Sequence, residues 1–445
     1  MIKYANPRMK HDLYWRYFRH LQTFLGEIIG PFENMIANFL IIAAWFGCIL
    51  IGGCSILYDF VGGSFVDEPS EFNHLASSGA KELVAEAFAD LGPKPIVDFH
   101  VHLIGRNVNP NWLSWTHPVQ RTRTMVYLSA AGVEPKHEIT QPYVVRLIEL
   151  IKAIPQRGRY FLVALDRHYR LDGTVDWEHT LYYMSNESVY RKAMEHPDLF
   201  VPVISIHPYR EDAIAELTRW AQKGCRYVKW IPNTMGLDPS SDRLDNYYQT
   251  MKKFGMTLLS HSGEKKGFPD AKAFQHLGNP LLLKKPLDIG VKVVIFHSAT
   301  PGKYKDLDHP TRNKKVFGFD LLIRMLENPA YQGLLFGEIS AITFFNHLDR
   351  PLRILLERED LHKRLVNGSD YPLPGINLLI RTSKLVEAGF ITKTEANFLD
   401  EIYGYNPLLF DFVLKRTVRH PVNGRQFPPT LFELPPELSI PLLKK

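Results

Sequence analysis

Eight short apolar runs, most closed at the C-terminal end by a histidine, a lysine or an acidic residue, alternate with helical patterns between residues 96 and 370. That rhythm constrains the fold more than any other feature. One unit is plain: Val201 to Ile206 reads as a strand and Arg210 to Lys223 as a helix with Ile214, Leu217, Trp220 and Ala221 on one face. Gly224 stops the helix and Tyr227 to Ile231 is the next strand. A βαβ unit in so short a span implies parallel strands. Repetition places strands near 96–102, 160–166, 201–206, 227–231, 256–261, 291–297, 334–341 and 364–370, and eight such units predict a closed α/β barrel of the (β/α)8 TIM type. Thr124 to Ala131 is assigned to a long helical insertion after the first strand.

In a parallel barrel the C-terminal strand ends meet in one mouth, where side chains that carry chemistry collect. The strand ends here supply His100 and His102 from Val97-Asp98-Phe99-His100-Val101-His102, then Lys229, His261, His297 and Asp370. From Lys229 to His261 is 32 residues and from His261 to His297 is 36, each near one barrel unit, whereas His297 to Asp370 is 73, near two. A single histidine is more often a satisfied core residue than a ligand, but this many at barrel spacing point to a metal centre. Four imidazoles and a carboxylate suit a borderline divalent cation, zinc first, with other first-row metals open. Substrate contacts are expected from His207, Glu264 and Arg167. Each has a plainer use: a hydrogen-bond support, a helix cap, or an internal ion pair with Asp166. Glu338 is read as structural.

The N-terminal part raises a separate expectation. The segment 36–58 carries no charge up to Leu57, enough apolar helix to cross a bilayer of roughly 30 Å. Lys3, Arg8, Lys10, Arg16 and Arg19 precede it, and Asp59, Asp67, Glu68 and Glu71 follow it. By the positive-inside rule the N-terminus is cytoplasmic and the catalytic domain periplasmic or otherwise extracytoplasmic. Ile51-Gly52-Gly53-Cys54 also matches a lipoprotein box loosely, with Cys54 as the lipid acceptor. The expected organisation is a basic amphipathic arm over 1–35, a membrane anchor over 36–58, a linker with a short helix over 59–90, the barrel over 91–415 and an irregular tail over 416–445. A net charge of +6 with no basic stripe in the barrel argues against nucleic acid, and three cysteines offer no disulfide framework.

Taken together, Asp98-x-His100-x-His102 on the first strand, His261-Ser262-Gly263 on the fifth, His297 on the sixth and Gly368-Ser369-Asp370-Tyr371-Pro372 on the eighth resemble the amidohydrolase superfamily, in particular its branch of metal-dependent hydrolases that includes decarboxylases. The resemblance implies His100, His102 and either His261 or His297 as metal ligands, with Asp370 both touching the metal and activating water. It leaves Lys229 as either a carbamylated bridge between two metals or a substrate-carboxylate contact. The implied function is a metal-dependent hydrolase acting on a small-molecule amide, ester or related bond. The alternatives are a metal-dependent non-oxidative decarboxylase and a non-catalytic, membrane-held ligand-binding protein. Barrels of this kind often pair as homodimers.

Overall fold

The computed structural model describes residues 61–443 apart from 64, 66, 106–117, 135–138, 157, 181, 266–270, 310, 312–313, 346, 349 and 441–442. Eight parallel strands follow one another in a single sheet: β1 (Ile96–His102), β2 (Gly158–Val163), β3 (Phe200–Ile204), β4 (Tyr227–Trp230), β5 (Thr257–His261), β6 (Lys292–Phe296), β7 (Leu335–Glu338) and β8 (Leu365–Val366). The sheet curls back on itself. Phe99 N–H donates to the Asn367 carbonyl at 3.0 Å, His102 N–H to the Tyr371 carbonyl at 2.9 Å, and the Asn367 side chain to the Val97 carbonyl at 3.1 Å. The result is a nearly closed barrel, and the strands fall where the sequence rhythm puts them.

Parallel neighbours require a crossover, and helices such as Asn186–Glu195, Ala213–Gln222, Asp245–Lys253 and Gly318–Glu327 supply it. Alternation along each strand then divides the core in two. Phe161, Val163, Val201, Val203, Leu259, Val294, Phe296, Phe336 and Val366 fill the barrel interior, while Leu162, Ile204, Val228, Leu258, Val293 and Leu335 pack outward against the helices.

β1 departs from that alternation. Val97 and Phe99 face the interior, yet Val101 packs outward, because a bulge shifts the register between Asp98 and Val101. The extra residue reverses the phase of the strand, so the residues beyond it, His100 and His102, gain the inward side that Phe99 occupies below. Asp98 holds the bulge: its Oδ1 accepts from His100 N–H and from Ser369 N–H, each at 2.9 Å.

The N-terminal end of the barrel is stopped by the C-terminal tail. Leu438 joins the interior cluster, with Leu434 and Ile440 packed against it. Tyr227 donates to the Ser439 carbonyl at 2.8 Å and Lys94 pairs with Glu433 at 3.1 Å.

The membrane-anchored, extracytoplasmic localisation is corrected here. Among the described residues no helix is long and apolar enough to cross a membrane. The longest, such as Thr140–Lys152 and Lys393–Tyr405, have 13 residues, roughly 20 Å of rise against a hydrocarbon core of about 30 Å. The segment 36–58, like the arm before it and Cys54 within it, lies outside the described residues.

Candidate metal centre

His100 and His102 leave the bulge with their Nε2 atoms 3.1 Å apart, and both approach Asp370 Oδ1, at 3.1 and 3.0 Å. Three ligand-type atoms about 3 Å from one another are spaced as neighbours are around a single ion with bonds of roughly 2.1 Å. His297 Nε2 lies 3.9 Å from the other Asp370 oxygen, Oδ2. A second grouping overlaps the first: His100, His297 and Glu338, all buried, present ligand atoms within 4.8 Å of one another.

The turns that deliver these residues are strained. His297, Ser298 and Ala299 have φ of 57°, 47° and 56°, and Asp370 has φ of 59°. Left-handed backbone costs a non-glycine residue on the order of 1–2 kcal/mol and survives only where its surroundings enforce it. Glu338 does so for the sixth strand end, accepting from His297 N–H at 3.0 Å while Ser298 Oγ donates to its carbonyl at 3.0 Å. At the eighth, Ser369 Oγ accepts from Tyr371 N–H at 3.1 Å, and the Asp98 carboxylate anchors the Ser369 amide. Gly368 allows the approach, since a Cβ there would lie 2.2 Å from Glu338 Oε1. Beneath it the fully buried Lys415, on the helix Pro407–Thr417, donates to the Gly368 carbonyl at 2.7 Å and to Asp411 at 2.6 Å.

The electrostatics favour lone pairs over charge. Burial, aided by neighbouring lysines and by one another, holds His100, His261 and His297 well below the ordinary imidazole pKa. Burial also lowers His102, against the pull of Asp370. His297 Nδ1 lies 2.7 Å from Ser340 Oγ, whose proton goes to Glu338 Oε2 at 2.8 Å. With Glu338 ionised, this chain places the His297 proton on Nδ1 and leaves Nε2, 3.9 Å from Asp370 Oδ2, as the lone-pair nitrogen. His100 Nδ1 and His261 Nε2 are buried without a hydrogen-bond partner. The His261 ring lies 5.0 Å from that of His297, and His100 Nδ1, on the far side of its ring from Nε2, lies 3.8 Å from Glu338 Oε2. Neutral imidazoles that converge on a carboxylate, as His100 Nε2 and His102 Nε2 do on Asp370, fit a divalent cation.

The remaining expected residues are distributed unevenly. Lys229, 1% exposed, has no hydrogen-bond partner for Nζ, which sits 3.3 Å from the centre of the Phe296 ring. Burial holds its pKa well below the ordinary lysine value, although Asp370 and Glu338 pull the other way. His207 stands apart: its Nε2 meets the Met235 carbonyl at 2.9 Å and its Nδ1 accepts from Tyr209 N–H at 3.1 Å. Both ring nitrogens are spent on the main chain. Arg167 stacks over Tyr183 at 3.7 Å, and Asp166 pairs instead with Arg210 at 3.0 Å. Glu264 lies against Gly302, its Cγ 2.8 Å from where a Cβ would stand there.

Two residues of the site were not legible as such. Glu338 reads in sequence as one more acidic strand end, and here it is fully buried, shares a ligand-type cluster with His100 and His297, and is pushed up to about 7 by burial. Lys265 follows the fifth strand by four residues and lines the same pocket as His102 and Asp370. The only sequence signal for it is its place just beyond His261-Ser262-Gly263.

No family model and no curated protein matches this sequence. Several solved structures are similar to the chain. They include an uncharacterized TIM-barrel protein from Bordetella bronchiseptica (17% identity, 69% of this chain and 99% of that one, TM-score 0.43). A 4-oxalomesaconate hydratase from Rhodopseudomonas palustris is another (15%, 68% and 92%, TM-score 0.37). A third is a 5-carboxyvanillate decarboxylase from Novosphingobium aromaticivorans complexed with manganese (13%, 72% and 96%, TM-score 0.39).

Proposed function

We propose that this protein is a metal-dependent hydrolase whose reaction centre is the His100, His102, His297 and Asp370 cluster, with Glu338 behind it and His261 completing the set of donors. The observation that carries the reading is the convergence of His100 Nε2, His102 Nε2 and Asp370 Oδ1 within 3.1 Å of one another. These residues suit zinc, and other first-row divalent ions by the same chemistry. A divalent ion in this position supplies Lewis acidity toward water and toward the oxygen of a scissile carbonyl.

The chain's own groups do the rest. Asp370 turns Oδ1 to the two β1 imidazoles, while Oδ2 lies 3.9 Å from His297 Nε2. That oxygen takes a proton from the attacking water and returns it to the leaving amine or alcohol. The αL backbone of Asp370 and its anchored neighbours fix the carboxylate before substrate arrives, so little reorganisation is needed during reaction. Lys229, held as a low-pKa amine over Phe296, is a candidate for carbamylation because an uncharged amine is the form that reacts with carbon dioxide.

A non-oxidative decarboxylase is the second reading. It is favoured by the aromatic and aliphatic wall of Tyr127, Tyr182, Leu165 and Leu373 beside Asp370, which suits a small unsaturated acid, with Asp370 then delivering a proton to carbon. The test is elemental analysis of the purified chain together with turnover assays. Bound divalent metal that is lost in His100→Ala, with ester or amide cleavage lost in Asp370→Asn, supports the first reading. Release of carbon dioxide from aryl acids by the same metal-bearing protein replaces it with the second. A wild-type chain that retains no metal defeats both.

A further inference from the structure

Lys265 has no role in the proton transfers above, yet it is placed with care. Its N–H donates to Gln275 Oε1 at 2.9 Å and its carbonyl accepts from Gln275 Nε2 at 2.7 Å, so one side-chain amide grips both sides of its peptide backbone. Gln275 is itself fixed: Asn233 Nδ2 donates to Gln275 Oε1 at 3.3 Å and to the Gly263 carbonyl at 3.1 Å. A lysine serving only solubility has no use for such a clamp.

What the clamp aims is a cation into a pocket that is otherwise mostly apolar. Lys265 lines the same cavity as His102, Asp370, Tyr127, Tyr182 and Tyr183. Among the described residues its ammonium has neither a hydrogen-bond nor an ion-pair partner, in contrast to Lys192, Lys284, Lys285 and Lys415, each of which meets a carboxylate. Burial lowers its pKa and Asp370 pulls it back up, the situation of a cation that lacks a close counter-ion. Arg123 adds positive potential to the same mouth. Ligand pockets of this kind are apolar with a few placed polar groups that fix orientation, and Lys265, half-buried in the pocket wall, is such a group, with no carboxylate partner among the described residues.

We infer that Lys265 is the specificity-determining residue of this site: its ammonium binds a carboxylate carried on an otherwise apolar substrate. The inference rests on the reading that the adjacent cluster is the reaction centre. Lys265 selects through a charge-assisted contact with a group the neutral analogue lacks, which is where binding sites discriminate most strongly.

The test is calorimetric titration of the full zinc-loaded chain with benzoate and with benzamide, a charged and a neutral probe of the same shape, with zinc content measured on each sample. Wild type should prefer benzoate by roughly ten- to hundredfold. Lys265→Met should erase that preference with zinc content unchanged, and Lys265→Arg should keep most of it. A Met variant that still prefers benzoate as strongly as wild type overturns the inference, since the anion then binds elsewhere, on the ion included. Loss of zinc in the wild-type chain would instead remove the proposed function, while the benzoate preference in that same sample still reports on Lys265.

Discussion

The two ends of the barrel are closed on opposite principles. At the C-terminal end of the strands the interior finishes in polar groups, His100, His102, His261, His297, Glu338 and Asp370, and two of them, His100 and His261, leave one ring nitrogen without a partner among the described residues. At the N-terminal end it finishes in Leu438, Leu434 and Ile440, brought in by the tail and tied down by main-chain acceptors. One end keeps unsatisfied capacity and strained turns; the other uses ordinary apolar burial. The difference separates function from stability along one axis, as the barrel architecture permits.

The sharpest way to break that separation is at the polar end. Asp370→Asn should cut turnover by on the order of a hundred- to ten-thousandfold, the usual worth of a placed proton-transfer group, with the melting temperature little changed. Turnover near the wild-type level in a folded variant removes Asp370 from the mechanism.

Lys415 lies under the same end but is a matter of stability. Lys415→Met leaves the Asp411 carboxylate buried without its partner and should cost about 3–5 kcal/mol in urea unfolding. The pair replacement Lys415→Met with Asp411→Leu should recover a large part of that, and a double variant no better than the single one means the ammonium matters mainly through the Gly368 carbonyl.

At the apolar end, Leu438→Ala should destabilise by about 2–3 kcal/mol through lost burial and the cavity left behind, while turnover per folded molecule stays at the wild-type level. A fall in turnover with no change in unfolding would mean that the two ends are coupled.

The smallest effect is expected from pH. Hydrogen bonds from Arg324, at 2.9 and 2.6 Å, together with its charge hold Asp306 down to about 2 against an ordinary 3.8. A folded-state pKa below the unfolded one means the contribution is complete above the ordinary value and fades as the pH falls through 3.8 toward about 2. Asp306→Asn should flatten the acid limb of a stability profile, and an unchanged limb assigns acid sensitivity to other carboxylates.

The strand rhythm was legible because parallel strands buried on both faces leave continuous apolar runs, and because each crossover needs a helix with one apolar face. The polar strand ends were legible for a related reason: a charged or imidazole group that closes an apolar run has few places to go in a barrel except the mouth. Glu338 failed this reading, since a lone acidic strand end looks alike whether it supports a turn or joins a ligand cluster. His207 left two uses open in sequence, and its contacts with the Met235 carbonyl and the Tyr209 amide are those of the plainer one, a hydrogen-bond support. Lys265 sits in a loop, where period gives no direction.

By itself, then, the sequence determined the eightfold alternation, the order of the strands and which residues end them, since those follow from local hydrophobic period and helix punctuation. The tertiary structure decided what those residues face. The bulge at Asp98 sets the side of β1 to which His100 and His102 belong, the turns at His297 and Asp370 set their aim, and the tail that delivers Leu438 is remote in sequence from the strands it closes. A phase shift of one residue, a left-handed turn and a long-range contact are each paid for by partners distant along the chain, so no local window of sequence contains them.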